Sequence, residues 1–205
     1  MQWIIAGLGN PGSEYEGTRH NVGRDFVAAL AKKRGYKEWK EDLPRGKAGK
    51  KTYGLSLKAE LYGEKALLIL PDTYMNSSGK AFLSVVTNKK QAEQFIVVQD
   101  ELDLPLGVVK LAFGSGAGGH RGVDSIQRAL KTKDFIRIRV GISASAASGK
   151  VKKPDQEKVV DFVLGKFKKS EEEKLKKSRK TVFEAIELIL TLGRDAATMA
   201  IHTKN

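Results

Sequence analysis

His20, His120 and His202 are the only imidazoles in this chain, and cysteine is absent. Disulfides, thiolate metal sites and cysteine nucleophiles are thereby excluded, and a zinc site is not expected from so few ligands. A histidine near neutrality is then the best general base on offer, provided that a carboxylate orients it. His20 stands in Tyr15-Glu16-Gly17-Thr18-Arg19-His20-Asn21, just before a helical pattern, where its ring can point into a crevice. The plainer alternative is a helix-start histidine bonded to backbone. Asp100 and Asp103 are the natural orienting carboxylates, although Asp103-Leu104-Pro105 reads better as a turn after a strand. Asn10 and Asn76 are neutral hydrogen bonders suited to hold an amide or an oxyanion, though a single asparagine in a turn is usually only a turn residue. Ser77 and Ser78 lack the GxSxG elbow of a serine nucleophile, and Ser78 reads as a helix cap. A histidine activating water is the more economical chemistry.

Gly7, Gly9 and Gly12 match the dinucleotide fingerprint GxGxxG, which raises an oxidoreductase as a competing reading. In that fold the third glycine lies in a helix packed on the sheet. Here Pro11 and the polar stretch Ser13 to Arg19 intervene before helical periodicity begins, and no acidic residue ends a clear second strand.

The elements that must position these residues follow from apolar periodicity. Trp3 to Leu8 reads as a buried strand closed by Gly9-Asn10-Pro11-Gly12, and Val22, Phe26, Val27, Leu30 and Ala31 mark a helix that Asn21 can cap and Gly35 can end. Tyr53 to Tyr62 and Ala66 to Leu70 form a hairpin around Gly63-Glu64-Lys65, stopped by Pro71. A second helix is predicted from about Ser78 to Val86, and Phe95 to Gln99 is a strand ending at Asp100-Glu101. Val108 to Phe113 is a strand before the glycine-rich Gly114 to Gly122, a third helix carries Val123, Ile126 and Leu130, and Phe135 to Ile142 is a further strand. Ser143 to Gln156, rich in Ser, Ala, Gly and Lys, reads as a mobile loop, either lid or linker. Ser170 with Glu173 makes a capping box for a long helix reaching Gly193, and the last dozen residues form a short helix or a frayed tail. Alternating strands and helices give an α/β class. In such a chain the strand ends converge on a crevice, so Asn10 to His20, Asp72 to Asn76, Asp100 to Asp103 and the glycine-rich loop should face one another.

With 205 residues and 40% hydrophobic content the chain should fold as a single domain over 1–205. No apolar run approaches the length of a membrane span and no signal sequence opens the chain, so a cytoplasmic location is expected. The 37 Lys plus Arg against 24 Asp plus Glu, a formal +13, suit a polyanionic partner, nucleic acid first. Much of that excess lies in Lys32 to Lys51 and Lys166 to Lys180, where a solvated basic surface is the plainer explanation.

Taken together, GLGNPGSEYEGTRHNVG (Gly7 to Gly23), PDTYMNSSGKA (Pro71 to Ala81), and VQDELDLPLG with GSGAGGHRG (Val98 to Gly122) resemble the bacterial-type peptidyl-tRNA hydrolases, in that family's order. The similarity runs to near the long C-terminal helix and leaves the last dozen residues unmatched. The resemblance implies a monomeric α/β globule with a mixed central β-sheet flanked by helices. It further implies cleavage of the ester between a peptide and the terminal ribose of tRNA, without metal or cofactor. It places the family's catalytic histidine on His20, the aspartate that orients it on Asp100, and two substrate-binding asparagines on Asn10 and Asn76. Tyr15 matches a tyrosine near the tRNA terminus and Met75 a methionine beside the site.

Two positions depart from the family pattern. Arg121 stands where an asparagine follows the Gly-Gly-His of the gate loop, adding a permanent charge able to pair with Asp100 or depress the His20 pKa. A phosphate-gripping arginine matches Arg139, but its lysine partner falls on Ala112; Lys110, two residues earlier on the same strand, shares that facing and can substitute. A catalytically silent RNA-binding relative of the same fold is the alternative function, and retention of His20, Asp100, Asn10 and Asn76 argues against it.

Overall fold

The protein is described here by a computed structural model covering residues 2–43, 53–146 and 150–204. Its elements follow in the order β1 (Trp3–Gly7), α1 (Val22–Lys33), β2 (Lys40–Leu43), β3 (Gly54–Leu61), β4 (Glu64–Pro71), a 3-10 helix (Met75–Phe82), α2 (Lys89–Glu93), β5 (Phe95–Pro105), β6 (Val109–Phe113), α3 (Arg121–Leu130), β7 (Ile136–Ser145), β8 (Val151–Lys152), α4 (Val159–Leu164), α5 (Glu172–Leu192) and α6 (Arg194–His202). Eight strands form one mixed sheet in the order β2-β3-β4-β1-β5-β7-β6, with β8 hydrogen-bonded to β7 off that path. The inner strands β4, β1, β5 and β7 run parallel, while the hairpins toward both edges are antiparallel.

Period-two alternation splits the inner strands between two cores. Ile5, Leu68, Ile96, Val98 and Ile138 face α1, α5 and α6 together with Phe26, Leu30, Val182 and Ile186. Ile4, Ala6, Ile69, Phe95 and Val97 face the 3-10 helix and α3 together with Phe82, Val123 and Ile126. Both faces of the parallel strands are thus covered, which is why they read as nearly continuous apolar runs.

Several predicted boundaries move, each for a tertiary reason. The hairpin turn sits at Tyr62-Gly63, both at positive φ (54° and 83°), one residue ahead of the predicted Gly63-Glu64-Lys65, because a two-residue turn of that hand matches strand twist. The helix predicted over Ser78 to Val86 is a 3-10 helix beginning at Met75. There the Gly79 N–H donates to Ser125 Oγ of α3 (3.0 Å) and Ser78 Oγ to the Met75 carbonyl (2.9 Å). β5 continues past Glu101 to Pro105, so Asp103 lies in a strand and not in a turn. Beyond an irregularity the strand rejoins β7, with Leu106 N–H donating to the Ser143 carbonyl and Ser143 Oγ to that of Leu102.

The stretch Ser143 to Gln156, predicted as a mobile loop, departs from that expectation at its ends. Ser143 to Ser145 complete β7, and Val151 and Lys152 pair back onto it as β8; residues 147–149 lie outside the described part. The capping pair of the long helix lies two residues before the predicted Ser170 and Glu173, with Glu171 accepting from the Lys168 N–H (2.7 Å). The final residues form α6, which packs on α5 and on β6, where His202 Nε2 accepts from Leu111 N–H (3.0 Å). α2 and α4 were missed because runs of five and six residues carry too little periodicity.

Candidate active site

The carboxyl ends of β1 and β4 deliver Asn10 and the Asp72 to Asn76 segment, and β5 carries Asp100 just past the end of β1, to one side of the sheet, where α/β proteins form ligand crevices. His20 reaches the same place from a 3-10 turn, Arg19–Asn21, that runs directly into α1. Its Nδ1 lies 2.9 and 3.0 Å from the two oxygens of Asp100. The aspartate is fully buried, and His20 is 12% exposed. A carboxylate can only accept, so Nδ1 carries the hydrogen and Nε2 is left with its lone pair and no partner among the described residues. A base needs that arrangement.

Asp103, the other carboxylate considered from sequence, pairs with Lys153. The structure instead brings in His120, whose Nε2 lies 2.8 Å from Asp100 Oδ1. Its Nδ1 accepts from the N–H groups of Gly122 (3.1 Å) and Val123 (3.3 Å), capping α3. Backbone N–H groups fix Nδ1 as an acceptor, so Nε2 holds the hydrogen and donates to Asp100. His20, Asp100 and His120 are the one group among the described residues with ligand atoms close enough to share a metal ion. A metal on His120 Nε2 would need the lone pair there and a hydrogen on Nδ1, breaking both cap bonds. The donor set therefore fits a hydrogen-bond relay better than a metal.

Burial pushes the His20 pKa down, but the Asp100 carboxylate, by its charge and its hydrogen bond, holds it above the ordinary 6.5, with Arg121 opposing. Burial also pushes Asp100 up, yet His20 and His120 beside it hold its carboxyl far below the usual range. The two imidazoles thus favour Asp100 as the anion.

Asn21, predicted as a cap, makes no capping bond. Its side chain pairs with the Asn10 backbone, accepting from Asn10 N–H (2.8 Å) and donating to Asn10 O (2.9 Å). Asn10 in turn accepts the Met75 N–H on Oδ1 (2.8 Å), which fixes its amide so that Nδ2 is the end free to donate. Gly23, two residues beyond Asn21, lets α1 lie against the Val98 carbonyl, where a Cβ would sit 2.2 Å from the oxygen. The glycines of GxGxxG have similar explanations. A Cβ on Gly7 would meet the Gly23 carbonyl, Gly12 has φ 105°, and no α-helix starts until Val22, unlike a dinucleotide fold.

These groups line a cavity of about 550 Å³. Asn10, His20, Asn76, Asp100, His120 and Arg121 form its polar side, while Tyr74, Met75 and the α4 residues Val159, Val160, Val163 and Leu164 form an apolar wall. Asn76 and Arg121 are exposed, and Arg121 makes no ion pair with the described residues. Tyr15, also predicted for the site, does not line the cavity; it closes the short turn Ser13–Tyr15 and offers its carbonyl to Thr18 Oγ1 (2.7 Å). Lys110 and Arg139 lie elsewhere, directly opposite each other across β6 and β7 and so on one face. Arg139 Nε is 2.8 Å from Glu101, and Ala112 faces Arg137, a buried arginine bonded to Ser115 Oγ. His120 and Asn21 are the participants that sequence reasoning did not assign; the only signal was their place inside the matched motifs.

The family model for peptidyl-tRNA hydrolase matches residues 4–205, so the C-terminal dozen residues, expected to fall outside the similarity, lie within it. The peptidyl-tRNA hydrolase of Carboxydothermus hydrogenoformans is 42% identical over 95% of each chain. That of Nocardia farcinica is 38% identical over 97% of this chain and 95% of its own. A crystal structure of peptidyl-tRNA hydrolase from Acinetobacter baumannii superposes with a TM-score of 0.79 at 32% identity, covering 97% of this chain and 93% of that one.

Proposed function

The chain belongs to the peptidyl-tRNA hydrolase family and hydrolyses the ester bond of peptidyl-tRNA, and we propose that His20, oriented by Asp100, is the base that activates the attacking water. The carrying observation is the Nδ1 contact to both Asp100 oxygens, which turns the lone pair of Nε2 toward the cavity. Nε2 takes a proton from water, and the hydroxide adds to the ester carbonyl. The tetrahedral intermediate then collapses, and the ribose oxygen leaves with the proton that His20 returns. Asn10 Nδ2, aimed by the Met75 N–H, and exposed Asn76 are placed to donate to the developing oxyanion or to the peptide backbone. Contacts of that kind ignore side chains, which suits a substrate whose peptide varies. Met75 contributes to the apolar wall of the cavity, and exposed Arg121 lines it as a further substrate contact.

Lys110 and Arg139, side by side on β6 and β7, are proposed to grip tRNA phosphate, and Tyr15 to lie near the tRNA terminus outside the peptide cavity. The working species in this reading is a cytoplasmic monomer needing no cofactor; no helix among the described residues is long and apolar enough to cross a membrane.

The test is hydrolysis of N-blocked aminoacyl-tRNA beside free aminoacyl-tRNA, with His20→Ala as control. Loss of a positioned base should lower kcat by about 10²- to 10⁴-fold. A His20→Ala protein that keeps a near-normal rate overturns the mechanism.

A further inference from the structure

Arg19, immediately before His20, is 5% exposed, and its guanidinium lies between the rings of Phe162 and Phe167, 4.8 and 4.7 Å from their centres. Nη2 reaches Glu171 Oε2 at 2.8 Å, while Nη1 is buried with no partner among the described residues. The backbone joins in. Arg19 N–H donates to the Gly165 carbonyl (3.0 Å), and Thr18 bridges to Lys166 in antiparallel fashion.

A buried guanidinium with an unsatisfied nitrogen is a poor way to gain stability, since a well-packed apolar side chain in the same space is often no worse. What the arrangement does is geometric. Phe162 belongs to α4, whose Val159, Val160, Val163 and Leu164 form the apolar wall of the cavity, and Gly165 to Glu171 is the segment joining α4 to α5. The three residues of one 3-10 turn are therefore tied to three different elements: Arg19 to the α4 wall, His20 to β5, and Asn21 to the loop after β1.

We infer that Arg19 is a positioning residue that locks the α4 wall of the cavity to the turn carrying His20, so that the surface receiving the peptide and the base attacking its ester keep one spacing. This rests on the reading of His20 as base. The titratable and charged groups around His20 are Asp100 and Glu101 on β5 and His120 and Arg121 at the start of α3, and none of them contacts Arg19.

The experiment compares the parent enzyme with Arg19→Met, Arg19→Lys, Glu171→Gln and His20→Ala on N-blocked aminoacyl-tRNA, measuring kcat, KM and the pH dependence of kcat, with melting temperature as a fold control. Arg19→Met keeps packing between the rings but drops the tie to Glu171. It is expected to lower kcat about 10-fold with KM within twofold, and to move the acid limb of the profile to lower pH as the His20–Asp100 contact loosens. Arg19→Lys, still able to pair with Glu171, should recover part of the loss, and Glu171→Gln should fall between. If Arg19→Met changes only the melting temperature, or only KM, the inference is overturned. If His20→Ala is itself active, the base reading fails first; an inactive His20→Ala beside an unaltered Arg19→Met overturns this inference alone.

Discussion

Among the described residues Arg121 is the cation placed near His20 in the cavity, and it opposes the rise in the His20 pKa that Asp100 imposes. The proposed base works when neutral, so on that mechanism activity is lost as pH falls through the pKa of His20. Removing the guanidinium lets that pKa climb further. Arg121→Asn is expected to shift the acid limb of kcat to higher pH by a few tenths of a unit and to leave the alkaline plateau within about twofold, a shift equal to a few tenths of a kcal/mol per charge pair near a surface. A pH–rate profile with both unchanged would show that Arg121 has no part in the site. At this scale the meeting of His20 with Asp100 and the place of Asn10 in the same cavity were legible because each residue lies in one of the matched motifs. His120 and Asn21 were not, because what they do depends on partners about twenty and eleven residues away that only folding brings near. The cap assigned to Asn21 failed for the same reason: the amide had a stronger claim on it from Asn10.

At the scale of elements, the distance between His20 and Asp100 is a matter of how closely α1 lies on β5. Gly23 is the contact that sets it, since any Cβ there would collide with the Val98 carbonyl, two residues before Asp100. Gly23→Ala should destabilise the fold by about 1–3 kcal/mol through overpacking, and should lower kcat beyond what the stability loss explains. Denaturant unfolding alongside kinetics under folding conditions checks both, and an alanine variant of parental stability would contradict the packing account. The alternation of strands and helices was legible because both faces of the inner sheet are covered, which leaves long apolar runs. The extension of β5 to Pro105 and the 3-10 form of Met75–Phe82 were not, because each makes a hydrogen bond to a distant segment, and β8 was not because two residues are too few to show alternation. Local pattern carries no trace of such bonds.

Over the whole molecule, a formal charge of +13 and the facing pair Lys110 and Arg139 put an electrostatic term into every encounter with tRNA. KM for the tRNA substrate should rise steeply with salt while kcat stays nearly constant. Lys110→Ala and Arg139→Ala should each flatten the log KM against log salt slope by roughly 0.7–0.9, the increment for one lost phosphate contact. A slope unchanged in both variants would move the grip elsewhere on the surface. Arg139, already engaged by Glu101, should show the smaller change if tRNA has to displace that carboxylate. The start of α3 and the proposed base His20 are linked through one imidazole, whose ring centre lies 5.2 Å from that of His20. His120 meshes with the first turn of α3 through one nitrogen and with Asp100 through the other, like a toothed wheel between two racks. A displacement of that turn would therefore be felt at the carboxylate through the imidazole, and through the carboxylate at the proposed base.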